Sequence, residues 1–297
     1  MEAIKKIDIH AHATAFAQYV PAYYSTGVKF PGAEDMISLY DKVNIEKGVL
    51  LPILSPEHQT TVMTNEGCMA IADQYPDRFV WFCNVDPRMG TAYANVPYLL
   101  EYYKSRGARG FGELTVPMYA DSPELLRIYE CLEALDLPMT IHVSVPGSGR
   151  YGIMDELGLP RLESILKRYP GLRILGHSQV FWSEISADNN EKIRSGYPTG
   201  KVIPGRIVDL MRSYGNLYCD LSAGSGMGAM MRDPDFTVGF FEEFSDRILY
   251  GCDICHKDAV HQYKFDEFLS GLRADGSICE ETYRKIVREN AVKLLKL

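Results

Sequence analysis

Residues 4–12 read IKKIDIHAH, a short apolar run that ends in two histidines, His10 and His12. Seven further runs of this kind follow: GVLLPIL (48–54), FVWFCNV (79–85), ARGFGEL (108–114), LPMTIHV (137–143), LRILGHS (172–178), NLYCDLS (216–222) and RILYGCD (247–253). Short runs of β-branched and aromatic residues are typical of strands that are buried on both faces. The sequence therefore predicts eight buried strands, the first of them at residues 4–10.

Segments with helical spacing separate these strands, among them residues 33–48, 96–107 and 122–136. The last of these has Ser122 as a candidate N-cap and Pro123 at the first helical position. Eight strands that alternate with helices predict one α/β domain over residues 1–297, a (β/α)8 TIM barrel. A doubly wound open sheet is the alternative. It usually has a glycine-rich phosphate turn after its first strand, and HAHATAFAQ has none.

The composition limits the possible partners. The 297 residues include 31 basic and 39 acidic side chains, a net charge of -8. Nucleic acids and anionic membranes both require a basic protein face, so the acidic excess argues against them. No apolar run approaches the ~20 residues of a membrane helix, and the first residues lack a secretory signal's apolar stretch. The seven cysteines are scattered and odd in number, which favours a reducing cytoplasm over a disulfide framework. We therefore expect a soluble cytoplasmic enzyme, and its substrate is expected to be a small molecule.

Five of the predicted strands end in side chains that can bind a metal ion. These side chains are His10 and His12, Glu113, His142, His177 and Asp253. An HxH pair is a weak signal alone, although residues two apart on a strand point to the same side. In a barrel, however, the strand ends converge on one face, where the active site forms. The sequence therefore predicts a divalent metal site built from these six residues.

Each of the six residues also has a simpler explanation when it is taken alone. A single histidine at a strand end is more often a hydrogen-bonded core residue than a ligand. Glu113 could be a buried structural carboxylate, and Asp253 could cap the helix that follows it. Taken together, these explanations would bury several unpaired polar groups at one rim of the barrel. A bound cation accounts for the set better.

The six positions resemble the ligand pattern of the amidohydrolase superfamily. That pattern is HxH after strand one, Lys or Glu after strand four, His after strands five and six, and Asp after strand eight. DIHAH, LPMTIH, ILGH and the closing ENAVKLLKL are similar to the amidohydrolase-2 branch of metal-dependent hydrolases and decarboxylases. The resemblance extends from residue 7 to 297. Several decarboxylases of this branch bind one ion without a strand-four carboxylate, so Glu113 leaves open a second ion or a hydrogen-bonding role.

The resemblance implies catalytic roles for Asp253 and His177. Asp253 would bind the metal, take the proton of the bound water and later deliver it to the leaving group. His177 would bind a second ion or polarise the substrate or the water. Zn²⁺ suits nitrogen and oxygen ligands best, and Mn²⁺ and Fe²⁺ accept the same set. The resemblance also leads us to expect a homodimer.

Substrate contacts are expected in the loops beyond the strand ends. Trp182 lies in the longest of these, residues 178–205, where it either lines the site or packs beneath the loop. Arg150 and Arg232 could pair with a substrate carboxylate, and the alternative for each is a solvated surface arginine. The glycines of SAGSGMGAMMRD (222–233) predict a loop whose amides could approach an anionic or carbonyl substrate; a hinge or an ordinary turn fits equally well.

Other residues carry weaker signals. His58 follows strand two and His256 follows Asp253, so either could touch a substrate, but neither lies at a matching strand end. Cys252 and Cys255 form a CxxC that lacks both a thioredoxin-like surrounding and a second cysteine pair for a zinc ribbon. We expect Cys252 to pack beside the strand-eight ligand, Asp253.

Three functions are consistent with this sequence. The first is a metal-dependent hydrolase that uses an activated water to cleave an amide, lactone or ester-like bond of a small molecule. The second is a non-oxidative decarboxylase, a lyase acting on an aromatic or unsaturated carboxylic acid at the same metal site. The third is a non-catalytic metal-binding protein. Glu113 favours the hydrolase, because it completes the ligand set of the superfamily.

Overall fold

The computed structural model describes residues 4–58, 61–89 and 95–297. Within these residues nine strands are formed, and every pairing between them is parallel. The strands are β1 (Lys6–Ala11), β2 (Ile45–Leu50), β3 (Phe79–Trp81), β4 (Phe111–Leu114), β5 (Met139–Ser144), β6 (Ile153–Met154), β7 (Ile174–His177), β8 (Leu217–Asp220) and β9 (Ile248–Leu249). Apart from the two-residue β6, each strand falls within or overlaps one of the eight predicted runs.

Helices separate most of these strands, as parallel pairing requires. They are α1 (Ala33–Lys42), α2 (Asn65–Gln74), α3 (Val96–Ser105), α4 (Pro123–Ala134), α5 (Pro160–Arg168), α6 (Gln179–Ser183), α7 (Arg206–Ser213), α8 (Ala223–Met231), α9 (Pro234–Phe244), α10 (His261–Ala274), α11 (Glu280–Arg284) and α12 (Asn290–Leu295). Among the described residues, no helix combines the length and the apolar character needed to cross a membrane.

The strands form two sheets that meet at two seams. One sheet has the order β1-β2-β3, and the other has the order β4-β5-β7-β8-β9 with β6 paired to β5. Isolated bridges connect the sheets, Cys83 with Phe111 on one side and Ala11 with Ile254 on the other. The backbone N–H of Asp253 also donates to the carbonyl of His10 at 2.9 Å. The strands therefore follow one another around a (β/α)8 barrel, in which bridges rather than continuous ladders join the two sheets.

An apolar cluster connects several strands to the C-terminal helix, α12. Its strand residues include Ile9, Val49 and Leu175, and its α12 residues include Leu294 and Leu295. All five side chains are at least nine-tenths buried. Helix α12 is thus packed against the strands.

The boundary between α1 and β2 differs from the prediction. The helical segment was expected over residues 33–48, but α1 ends at Lys42 and β2 begins at Ile45. Between them Asn44 has φ 54, the left-handed conformation that asparagine tolerates better than most residues. Pairing with β1 then extends the next residues, beginning with Ile45 opposite Lys6. Strand pairing outweighed the local helical spacing here.

The start of α4 is at the predicted position but lacks one expected contact. Ser122 is the N-cap residue and Pro123 occupies the first helical position. The Ser122 side chain, however, makes no capping hydrogen bond. Proline at the first position fixes the backbone for a helix without that contact.

The glycine-rich segment after β8 is a helix and not a loop. Residues 222–233 were expected to form turns, whereas Ala223–Met231 form α8 with Ser222 as N-cap. A Cβ added at Gly226 would lie 2.5 Å from backbone atoms of Leu221. The small residues therefore allow α8 to pack closely against the end of β8, and this packing compensates for the poor helix propensity of glycine.

Two glycines of α8 predict opposite effects on stability. Gly226→Ala should destabilise the protein by about 1–3 kcal/mol, because backbone atoms of Leu221 must move to admit the methyl group. Gly228→Ala is the matched control, since a Cβ there meets nothing within 4 Å. It should stabilise the helix by roughly 0.5–1 kcal/mol. Denaturant midpoints measure both changes, and equal midpoints for the two variants would contradict this packing.

Candidate metal centre

The two histidines of strand one face each other at the C-terminal end of β1. Their Nε2 atoms are 3.0 Å apart, and both side chains are fully buried. His10 Nδ1 lies 2.6 Å from Asp220 Oδ2, and His12 Nδ1 lies 3.0 Å from the carbonyl oxygen of Leu51. A carbonyl oxygen and an ionised carboxylate only accept, so both Nδ1 atoms carry hydrogen. The two Nε2 atoms consequently point to one place, where both can bind a cation.

Two carboxylates approach the same point. Glu113 Oε2 is 3.5 Å from the Nε2 atoms of both His10 and His12. Asp253 Oδ1 is 3.4 Å from His12 Nε2 and 3.8 Å from His10 Nε2. Ligand atoms that bind one ion tetrahedrally at about 2.1 Å are separated by roughly 3.4 Å. The separations and the mixture of nitrogen and oxygen donors therefore fit a divalent cation.

The second oxygen of Glu113 belongs to another group of possible ligands. Glu113 Oε1 is 2.7 Å from His142 Nδ1 and 4.0 Å from His177 Nε2. His177 Nε2 is also 3.7 Å from Asp253 Oδ2. The structure thus brings all six sequence-predicted ligands together, with the Glu113 carboxylate between the His10–His12 pair and the His142–His177 pair.

Asp220, at the end of β8, was not among the predicted residues. Its Oδ2 accepts the hydrogen bond from His10 and lies 3.6 Å from His177 Nδ1. Burial raises its pKa, but the neighbouring charge and hydrogen bond of His10 lower the pKa below the usual range, so it stays ionised. The sequence carried a usable signal, because the run NLYCDLS places an acidic residue at a strand end just as RILYGCD does.

Asp220→Asn should weaken divalent metal binding without unfolding the protein. The amide cannot hold the His10 ring and its tautomer as a buried carboxylate does, and such outer contacts are worth about 10–100-fold in metal affinity. Titration of the metal-free protein with Zn²⁺ measures the change. Asp235→Asn is the control, since the Asp235 carboxylate is exposed and pairs with Lys201. Unchanged Zn²⁺ affinity in Asp220→Asn would show that Asp220 does not support His10.

His58 and Tyr151 complete a ring of aromatic side chains around Glu113. His58 Nε2 is 3.6 Å from Glu113 Oε2. The Tyr151 ring centroid is 4.2 Å from that of His58 and 4.5 Å from that of His142. Sequence reasoning gave His58 little weight and did not consider Tyr151, because both lie in loops beyond the strand ends. The circle consists of His10, His12, His58, Tyr151, His142 and His177.

Burial and charge set the protonation states in this cluster. Burial raises the pKa of Glu113, but nearby imidazoles outweigh it and lower the pKa well below the usual range. Asp253 behaves in the same way. Burial lowers the pKa of His177 to about 4 and that of His58 to about 3, and positive charge on neighbouring histidines adds to both shifts. At neutral pH the carboxylates are therefore ionised and these two imidazoles are neutral, the forms that bind metals.

The pKa values of the two strand-one histidines shift in the opposite direction, upward. Burial lowers the pKa of His10, but the carboxylates of Asp220, Asp253 and Glu113 raise it well above the usual value. Burial likewise lowers the pKa of His12, and Asp253 and Glu113 raise it overall. A cation bound to the Nε2 atoms would replace these protons as the positive charge that the carboxylates require.

A cleft opens beside the cluster. Its volume is about 240 Å³, and it is lined by His142, Tyr151, Arg150, Ser144, Ser148 and Gln179, among others. Ligand clefts range upward from roughly 300 Å³, so a cleft of this volume suits a small ligand. Arg150 is exposed, and its guanidinium donates to the carbonyl of Ser195 at 3.2 Å. Of the three predicted substrate contacts, Arg150 thus lies in the same cleft as a candidate metal ligand.

The other two predicted substrate contacts line a second, much smaller pocket of about 20 Å³, which has room for about one water molecule. Trp182 is buried, and its Nε1–H donates to the backbone carbonyl of Asp220 at 3.0 Å. Within the described part of the chain, Arg232 Nε and Nη2 are buried without hydrogen-bond partners. Gln179 lines both pockets, so this one adjoins the cleft beside His142.

The CxxC segment contacts the cluster through one thiol. Cys255 donates from Sγ to Asp253 Oδ1 at 3.3 Å. Cys252 is fully buried, and burial raises the pKa of its thiol well above the usual range. Cys252 thus belongs to the buried core, next to Asp253 in the chain.

Comparison with known proteins identifies the family. Residues 7–297 match the family model described as Amidohydrolase. The chain belongs to the amidohydrolase family. Amidohydrolases of this family are metal-dependent enzymes, consistent with the cluster of histidines and carboxylates at the barrel end. Among curated protein sequences, none is significantly similar to this chain.

Solved structures share the fold at low sequence identity. An uncharacterized TIM-barrel protein from Bordetella bronchiseptica is 18% identical, with a TM-score of 0.67 and 99% of each chain covered. A probable 2-pyrone-4,6-dicarboxylic acid hydrolase from Acinetobacter baumannii is 14% identical, with a TM-score of 0.59 and coverage of 99% of this chain and 100% of that one. A dihydroxybenzoic acid decarboxylase from a Polaromonas species, with bound manganese, is 20% identical, with a TM-score of 0.58 and coverage of 99% and 98%. These similar structures thus include both a hydrolase and a decarboxylase, and at this level of identity they establish the TIM-barrel fold alone.

Proposed function

We propose that the protein is a metal-dependent hydrolase that cleaves an amide, lactone or ester-like bond of a small molecule. The observation that carries this proposal is the position of Glu113, whose two oxygens face two separate groups of imidazoles. A carboxylate in that position suits two neighbouring cations, as in metal-dependent hydrolases with paired ions. Zn²⁺ fits the donors best, and Mn²⁺ and Fe²⁺ are compatible with them.

The proposed ligands divide into two groups. A divalent ion, when bound, acts as a Lewis acid and lowers the pKa of a coordinated water from 15.7 to about 7. The first group consists of His10, His12, Glu113 and Asp253, and the second of Glu113, His142 and His177. Glu113 belongs to both groups, and its negative charge balances the ions.

Asp253 is the proposed general base and acid. Its side chain is 19% exposed, whereas those of Glu113 and Asp220 are 2% and 0% exposed, so Asp253 is the carboxylate that a substrate can reach. Its lowered pKa keeps it ionised and able to accept a proton from the attacking water. The same oxygen then returns the proton to the leaving group.

His177 and the cleft residues have supporting roles in this proposal. His177 is held by Ser222, whose Oγ is 3.1 Å from Nδ1, and presents Nε2 toward Glu113 and Asp253. It binds the second ion or polarises the substrate. Arg150 is proposed to pair with a substrate carboxylate in the cleft beside His142. Trp182 and Arg232 are proposed to contact the part of the substrate that approaches the small adjoining pocket.

A decarboxylase is the second candidate, and one distance favours it. His142 Nδ1 and Glu113 Oε1 are 2.7 Å apart, an ordinary hydrogen-bond distance. If that hydrogen bond persists with metal present, His10, His12 and Asp253 form a site for one ion. The ion would then bind a carboxylic acid substrate and stabilise the charge that develops as CO₂ leaves.

A product assay separates the two candidates. The metal-loaded protein is supplied with lactones, N-acyl compounds and hydroxybenzoates, and water uptake and CO₂ release are measured together with metal content. We expect hydrolysis products that contain one added water, with two equivalents of metal bound. CO₂ release without water uptake would reject the hydrolase. Metal binding with no turnover of any of these compounds would support the non-catalytic alternative.

A further inference from the structure

His58 is a buried imidazole at the cluster that the mechanism above does not use. Its side chain is 4% exposed, and its Nε2 is 3.6 Å from Glu113 Oε2. The three compact groups of possible metal ligands among the described residues do not include it. His58 therefore lies at the edge of the metal centre as a neighbour of Glu113.

The loop that carries His58 holds the imidazole in place. Ile53 and Met63 exchange two backbone hydrogen bonds of 3.0 Å, which close the base of the loop after β2. The backbone N–H of His58 donates to the backbone carbonyl of Ser55 at 3.2 Å. The Tyr151 ring packs against the imidazole at 4.2 Å between centroids. This fixed position is what a group that orients a substrate requires.

The hydrogen-bonding pattern leaves Nε2 as a donor. Within the described residues, Nδ1 is buried and has no hydrogen-bond partner. The carboxylate of Glu113 beside Nε2 attracts the ring proton to that nitrogen. A separation of 3.6 Å is too long for a hydrogen bond to Glu113, so the N–H remains available. An N–H that faces the cluster with no acceptor within hydrogen-bond distance is a group that a bound ligand can satisfy.

We infer that His58 binds substrate by donating its Nε2–H to the oxygen of the carbonyl or carboxylate group that reacts beside Glu113. The inference rests on the proposed function, which places the reacting group at this cluster. The hydrogen bond strengthens as negative charge develops on that oxygen, so His58 stabilises the transition state more than the bound substrate. An oxygen acceptor of this kind is present in amides, lactones, esters and carboxylic acids alike.

Two substitutions separate the donor from the shape of the ring. His58→Phe keeps a ring to pack against Tyr151 and removes the N–H. His58→Gln keeps an amide N–H near the position of Nε2. His256→Gln is the control, because the His256 ring contacts Tyr23 instead of the cluster. All variants are compared with wild type after loading with Zn²⁺, with metal content and thermal melting recorded for each.

Binding of acetohydroxamate, a small anion with a carbonyl oxygen, gives a readout that does not depend on turnover. We expect His58→Phe to weaken its binding at least about tenfold, the loss of one hydrogen bond, and His58→Gln to stay within about threefold. Where wild type turns over a substrate, His58→Phe should lower kcat about 10²-fold with a smaller change in KM. Metal content should match wild type in every variant.

The outcomes distinguish this inference from the proposed function. Wild-type binding of acetohydroxamate by His58→Phe would show that His58 is not the donor. Loss of Zn²⁺ from His58→Phe, with an unchanged melting temperature, would make His58 a metal ligand and would also overturn the inference. If wild type releases CO₂ instead of hydrolysing its substrate, the proposed hydrolase is wrong. The binding comparison still decides the role of His58 in that case.

Discussion

Glu113→Gln should leave the barrel folded and reduce the bound metal from two equivalents to one or fewer. A carboxylate offers an anionic oxygen to each group of imidazoles, whereas the amide of glutamine offers one neutral oxygen and one NH₂ that cannot bind a cation. Lewis-acid stabilisation of the transition state is worth several kcal/mol, so kcat should fall by about 10³-fold. Elemental analysis of the purified variant and steady-state kinetics measure the two effects.

The control for this substitution is Glu101→Gln on α3. Glu101 is exposed, so the same chemical change there should leave metal content and turnover at wild-type values. A Glu113→Gln protein that binds two equivalents of metal and retains turnover would contradict the role of Glu113 as the residue between two ion positions. One retained equivalent with retained turnover would instead favour a one-ion enzyme.

Asp253→Asn should keep the fold and most of the bound metal and lose activity. The amide oxygen can still approach the ion, but the side chain can no longer accept and return a proton. General acid–base catalysis typically contributes about 10²–10⁴-fold, and we expect kcat to fall by that amount. Asparagine is also the appropriate replacement for the backbone, since Asp253 has φ 51 and asparagine tolerates the left-handed region.

Asp253→Ala provides the comparison for this second prediction. It removes the ligand oxygen as well as the base, so it should bind less metal than Asp253→Asn at the same low activity. Metal content, circular dichroism and initial rates on the same preparations distinguish the two effects. Turnover by Asp253→Asn near the wild-type rate would remove Asp253 from the proton transfer.

The sequence predicted the barrel and most of the cluster because both depend on a local regularity. The eight runs mark the strands of the two sheets, and parallel strands bring their C-terminal ends to one face. His142 and His177 are one example, since they lie opposite each other in the register of β5 and β7. The position of a ligand at a strand end can be inferred from the run that precedes it, because the inference does not require the conformation of any loop.

The remaining features depend on packing between distant segments. His58 lies beside Glu113 because the backbone of Ile53 pairs with that of Met63, and no local sequence pattern predicts that pairing. Residues 222–233 have the composition of a loop, but close contact between Gly226 and Leu221 makes a helix favourable. Asp220 was predictable in principle, since it ends a strand. Its contact with His10 Nδ1 explains its role only once the two strand ends are seen together.

The most direct test of the two-ion site is an anomalous-scattering map from crystals of the Zn²⁺-loaded protein. We predict two peaks, one bound by His10 Nε2, His12 Nε2 and Asp253, and one bound by His142 and His177, with an oxygen of Glu113 on each at about 2.0–2.2 Å. A single peak at the His10–His12 pair, with Glu113 hydrogen-bonded to His142, would contradict the two-ion site. No peak within the cluster would contradict metal dependence at this site altogether.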